Sequence, residues 1–171
     1  MSVPFPEPTS AVASRTQVFL TYLDYFRSVL LTKLDGLSEE QLRQSVLPSG
    51  WSPIELVNHL RCVEMRWLVW GFEGEAVPAP WLDRRDDRWY VAPEATRDQV
   101  VEELAAQAET TRLIVESHEL GERGRPGDRW EDAEPATLER VLFHLVQEYA
   151  RHVGHMDIVR ELIDGEVGES P

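Results

Sequence analysis

The chain has one cysteine, Cys62, and one lysine, Lys33, in 171 residues. A lone thiol excludes an intrachain disulfide framework and any multi-cysteine metal site within one chain, and it suits a reducing cytoplasm. The scarcity of lysine reads as genome bias rather than chemistry. Long apolar runs are also missing: nowhere do about 18 apolar residues follow one another, so no membrane span is expected. The opening MSVPFPEPTSAVAS has no basic stretch ahead of an apolar one, so no secretion signal is expected either. Positive charge is short, with 17 Lys and Arg against 31 Asp and Glu for a net −14. A surface this acidic repels phosphate backbones and anionic headgroups, which argues against nucleic acid and membrane as partners.

What is present suits one globular domain: 42% hydrophobic and 28% charged residues can build a sizeable core in a chain of this length. Residues 1–12, with Pro4, Pro6 and Pro8, are expected to form a surface arm, residues 13–165 the domain, and residues 166–171 a frayed tail.

Apolar spacings of three and four predict four long helices. The first, about 14–34, carries Val18, Phe19, Tyr22, Phe26, Val29, Leu30 and Leu34. A short helix over about 39–45 follows Asp35-Gly36, opened by the capping box of Ser38 and Gln41. Ser52-Pro53-Ile54-Glu55 opens the second long helix, about 53–72, with a capping residue, a proline at the first helical position and an acid at the positive dipole end. Thr96 and Gln99 box the third, about 96–118, on Val100, Leu104, Ala108, Thr111 and Val115; His118 at its end suits the dipole and has no catalytic role. The fourth, about 136–164, aligns Leu138, Val141, Leu142, Leu145, Tyr149, Met156, Val159 and Leu162 before Gly165. No strand-like alternation is visible. The architecture expected is all-α, a four-helix bundle with a long crossover over residues 73–96, a stretch broken by Gly74, Pro78, Pro80 and Pro93.

Chemistry concentrates on the last helix, where His144, Glu148, His152 and His155 share roughly one face: positions four apart differ by about 40° in azimuth, and 148 and 155 by about 20°. Leu145, Tyr149 and Met156 interleave with them, so this face looks inward, where polar groups need partners. A divalent ion would satisfy them. A Glu/His pair at i, i+4 needs a third ligand, and His59 supplies one if the second and fourth helices are antiparallel neighbours: it lies roughly 9 Å from the start of its helix and His152 roughly 18 Å from the end of its own, a loose match in height.

The segments NHLRCVE and HLVQEYARHVGHMDIVREL resemble the DinB superfamily of four-helix-bundle metalloproteins, and most closely its mycothiol-dependent, maleylpyruvate isomerase-like branch and an associated actinobacterial group. The resemblance runs from LSEEQLRQSVLPSGWSPIELVNHL through RWLVWGFEG to the end of the last helix. It implies a bundle whose second and third helices run parallel, and metal ligands at the matching positions His59, Glu148 and His152. The commoner residue at position 148 is His, although the isomerase-like branch accepts Glu. His144 and His155 then become substrate-side or ligand-orienting candidates, with His144 an alternative ligand to Glu148.

The candidate catalytic residues are His155 and Arg151, and Arg84 and Arg85, beside Arg88 in the crossover, are candidates to grip acidic groups of a thiol co-substrate or substrate. Surface ion pairing is the plainer reading of these arginines. Cys62 reads as a small buried hydrophobe rather than a nucleophile. The tryptophans Trp51, Trp67, Trp70, Trp81, Trp89 and Trp130 either wall a pocket or staple connections to the bundle.

Three ligands with an open position would let a zinc-like ion bind water or a thiol and lower its pKa. The resemblance implies a transferase or isomerase that activates mycothiol, or a similar low-molecular-weight thiol, for attack on a small electrophile, with zinc as the first metal and nickel, manganese or iron as others. Two other classes stay open: a non-catalytic metal-binding stress-response or interaction protein, and a metal-dependent hydrolase. A homodimer is compatible with a bundle of this size.

Overall fold

The computed structural model describes residues 3–168, so the first two residues of the expected arm and the last three of the expected tail lie outside it. Helix α1 spans Arg15–Thr32, α2 Glu39–Arg43, α3 Pro53–Glu64, α4 Arg97–Ser117 and α5 Leu138–Asp164. Their starts follow the local signals. The Ser14 hydroxyl accepts the Gln17 N–H at 3.1 Å, and Ser38 with Gln41 and Thr96 with Gln99 form reciprocal capping boxes. At α3 the Glu55 carboxylate takes both the N–H and the hydroxyl of Ser52, at 2.8 and 2.9 Å. Gly165 closes α5 with φ +79°, a left-handed conformation that glycine adopts without strain.

The expected second long helix is continuous but changes winding: Met65–Phe72 is π-helical. At its far end the connection before α5 takes over the freed carbonyls, with Arg125 N–H donating to Phe72 at 2.8 Å and the Trp130 indole to Gly71 at 2.7 Å. Gly124 permits this approach, because a Cβ there would lie 2.9 Å from the Phe72 Cα.

Cross-helix contacts give the directions. Arg61 meets Glu103, Glu64 meets Thr111 and Glu73 meets His118, so α3 and α4 run parallel, as the long crossover requires. His59 neighbours His152, Glu64 meets Tyr149 and Trp67 neighbours His144, so α3 and α5 are antiparallel. Arg15 pairs with Glu139 and Lys33 with Asp157, so α1 parallels α5. The arm lies along α1, with Phe5 edge-on to Tyr25 and the Tyr22 hydroxyl donating to the Pro6 carbonyl.

Three details depart from the periodicity reading. Of the expected α1 stripe Leu30 and Leu34 are buried, but Phe19, Tyr22 and Phe26 are only half-buried, and Leu20, Leu23 and Arg27 take the innermost positions instead. Leu162 is 58% exposed, because at about 100° per residue it lies on the flank of α5, roughly 120° round from Met156, while Ile163 beside it packs against the core. The crossover holds a small antiparallel ribbon, β1 (Arg84–Arg85) with β2 (Arg88–Trp89). Its turn residues Asp86 and Asp87 have φ +51° and +58°, the paired left-handed geometry of a tight hairpin, which aspartate tolerates although glycine is its usual signature.

One polar layer crosses the core. Glu64 of α3, with no solvent exposure, accepts two hydrogen bonds from Arg27 of α1 at 2.9 and 2.7 Å, one from the Thr111 hydroxyl of α4 at 2.5 Å, and one from the Tyr149 hydroxyl of α5. Removing one member strands a buried charge, which costs far more than the intact pair contributes. Glu64→Ala should therefore destabilise the fold by roughly 3–5 kcal/mol and Tyr149→Phe by roughly 1–2 kcal/mol, read by denaturant unfolding; equal small losses would show that the layer is solvated.

His118 caps α4 between Glu73, 2.8 Å away, and Glu122, 3.0 Å away. Burial works against its charge, yet its hydrogen bonds to Glu122 and Glu73 raise its pKa above the ordinary value of 6.5. The stabilisation from the charged ring is thus complete below the unfolded-state pKa and lost as pH rises through the raised one. Wild type should lose stability relative to His118→Gln as pH rises above the ordinary histidine value of 6.5, followed by thermal unfolding across a pH series.

Candidate metal centre

The turn spacing of α5 brings Glu148 and His152 together, with Glu148 Oε2 3.4 Å from His152 Nε2. The antiparallel packing of α3 adds His59. One ligand atom from each of His59, Glu148 and His152 lies within 4.8 Å of the others, and this is the one cluster of its kind among the described residues. Ligand bonds of about 2.0–2.2 Å in a tetrahedron place donors roughly 3.4 Å apart, so the Glu148–His152 spacing suits a bound ion, and two nitrogens with one oxygen are a donor set typical of open zinc sites. His59 and His152 are buried, whereas the Glu148 side chain keeps 24% of its exposure, so the cluster faces outward on one side.

The residues around the cluster orient it. Asp83, wholly buried, accepts from His59 Nδ1 at 2.8 Å, which leaves Nε2 with the free lone pair. Asp83 is itself held by Arg66 at 2.7 and 3.2 Å. Burial alone would raise the Asp83 pKa, but the hydrogen bonds from His59 and Arg66 bring it below the ordinary value. Burial pulls His59 below its usual value despite Asp83, which keeps the ring neutral, the form that binds a cation. The hydrogen bond from His152, against the effect of burial, holds Glu148 below the usual carboxylate range. Trp89 lies over His59 with ring centres 4.0 Å apart and 5.6 Å from His152, and Trp51 stacks on Trp89 in turn, so the crossover ribbon forms an apolar cover.

The remaining expected site residues divide by position. His155 Nδ1 lies 3.4 Å from His152 Nδ1, on the side away from Glu148. His144 Nε2 lies 3.8 Å from Glu148 Oε1 and borders a cavity of about 680 Å³ walled by Trp67, Trp130, Phe143 and Gln147. Arg84 and Arg85 stand exposed on the ribbon, stacked on Trp81 and Tyr90, and Arg151 is exposed on α5; none is in contact with the cluster. Cys62 is fully buried, and burial pushes its thiol up to about 11, which leaves no thiolate at neutral pH. Sequence reasoning missed Asp83 and Arg66. The only signal was an acid at the head of the Arg84-Arg85 pair, and nothing in a one-dimensional reading connects it to His59.

No curated protein matches the chain in sequence. Among solved structures, a conserved protein from Enterococcus faecalis superposes with a TM-score of 0.66 at 17% identity, covering 91% of this chain and 100% of that one, a likeness that shows the fold alone. The mycothiol-S-transferase family matches residues 18–165, a span that takes in α3, the crossover and nearly all of α5. The chain therefore belongs to the DinB-like mycothiol-S-transferase family.

Proposed function

We propose that this protein is a metal-dependent thiol S-transferase that joins mycothiol, or a similar low-molecular-weight thiol, to a small electrophile. The observation that carries this reading is the convergence of His59, Glu148 and His152 in a member of this family. These three residues would hold a divalent ion, zinc before nickel, manganese or iron. Such an ion supplies an acidified thiol, so that thiolate is available at neutral pH.

The chain's own residues do the rest. Asp83 and Arg66 hold the His59 ring in one tautomer and one orientation, and His155 does the same for His152 from the opposite edge. Trp51 and Trp89 keep water from the α3 side of the ligands, leaving Glu148 and His144 as the side open to substrate. His144, placed between Glu148 and the cavity, is the ring an incoming electrophile meets first.

Protein purified without chelator should carry about one ion per chain by elemental analysis, and His152→Ala should lose it while keeping its helical circular dichroism. Cys62→Ser should retain the ion. A folded wild type free of metal would sink the proposal, as would turnover that is indifferent to added thiol, which would point to hydrolysis instead. Asp83→Asn should keep all three ligands yet weaken metal affinity by roughly 10–100-fold in a competition titration; unchanged affinity would mean that the carboxylate does not orient His59.

A further inference from the structure

Among the described residues Arg129 has no anionic partner, in a chain with 31 acidic residues to 17 basic ones. Among the described residues, nine arginines and Lys33 are ion-paired. Arg84, Arg85, Arg88, Arg140 and Arg151 are exposed, and half-buried Arg43 donates to the Ala95 carbonyl. Arg129 alone is half-buried with neither an acid nor a carbonyl, and its buried Nε has no acceptor. A cation so placed costs free energy unless an anion arrives from outside.

The surroundings pack around that cation. Its stem packs against Gly71, where an added Cβ would meet the Arg129 Cγ at 3.5 Å, and its guanidinium lies 4.2 Å from the centre of Trp67, 5.8 Å from Trp70 and 5.9 Å from Trp130. Burial and the nearby Arg66 pull its pKa down, with no carboxylate to oppose them. Trp67 and Trp130, though not Arg129 itself, also line the cavity that His144 borders, so the guanidinium is joined to that cavity through the two indoles it packs on. Two acids on that cavity are already engaged elsewhere, Glu134 with Arg123 and Glu139 with Arg15.

We infer that Arg129 is the recognition residue for an acidic substrate: the electrophile is an organic acid whose carboxylate is held by the Arg129 fork and whose apolar body lies against Trp67 and Trp130. This rests on the transferase reading for the identity of the ligand as a substrate, but the binding itself is measurable without turnover. The net charge of −14 makes such a site selective, because the rest of the surface repels the same anion.

The test titrates the protein with benzoate and with its neutral counterpart benzamide, following tryptophan fluorescence with chelator present, and repeats the titration on His152→Ala so that no resident ion can bind the carboxylate. Benzoate should bind at least roughly tenfold more tightly than benzamide, and Arg129→Gln should erase that preference without changing benzamide binding, while Arg129→Lys keeps part of it. Equal binding of the two probes, or a preference that survives Arg129→Gln, overturns the inference. A purely structural arginine would instead lower the unfolding temperature of Arg129→Gln and leave the benzoate preference in place. Loss of metal or of thiol dependence in the wild type would count against the transferase reading and leave the benzoate result standing.

Discussion

One carboxylate, that of Glu64, ties the bundle together. Arg27, Thr111 and Tyr149 reach it from the three other long helices, so every helix has one register in which this layer is satisfied. Apolar packing tolerates sliding by a turn far better than a buried charge held by four hydrogen bonds from three fixed partners does. The layer also lies next to the candidate metal centre. Tyr149 directly follows Glu148 and precedes His152 by three residues, while Glu64 follows His59 by five. The bond between Tyr149 and Glu64 therefore sets the height at which the ligands of α5 face the ligand of α3.

The crossover does for the orientation of the ligands what this layer does for their height. A connection of this length has to travel from one end of the bundle to the other, because α3 and α4 run parallel. On the way it delivers Asp83 to His59 and lays Trp89 over the same ring. The tight turn at Asp86 and Asp87 makes this possible by folding Trp89 back beside Arg84. A segment without helical periodicity thus supplies both the hydrogen bond and the apolar cover that a metal-binding histidine requires.

Electrostatics separates structural cations from available ones. Arg27, Arg66 and Arg160 are buried and bonded to carboxylates. The connection before α5 is different, since it brings Trp130 and Arg129 down onto the π-helical segment Met65–Phe72 that continues α3, through the close approach at Gly71 and Gly124. The end of this helix leaves the carbonyls of Gly71 and Phe72 without intrahelical partners, and the Trp130 indole and the Arg125 N–H satisfy them, so the helix terminus becomes the anchor for a cavity wall.

Much of this protein was legible one residue at a time. Helix spans, caps and the all-α class follow from spacing and from Ser, Thr, Pro and Gly at the ends, because those effects act within one or two turns. The shared face of Glu148 and His152 is likewise a property of a single helix, and His59 became their companion through a family resemblance and an assumed antiparallel pairing. The tertiary structure alone decided that Arg27 points inward to Glu64, that Asp83 reaches His59, that two aspartates turn a hairpin, and that Arg129 goes without an acid among the described residues. Each of these depends on groups 24 or more residues apart or on a turn stabilised by its surroundings, and burial, which determines whether a charge needs a partner, exists only once the chain has packed.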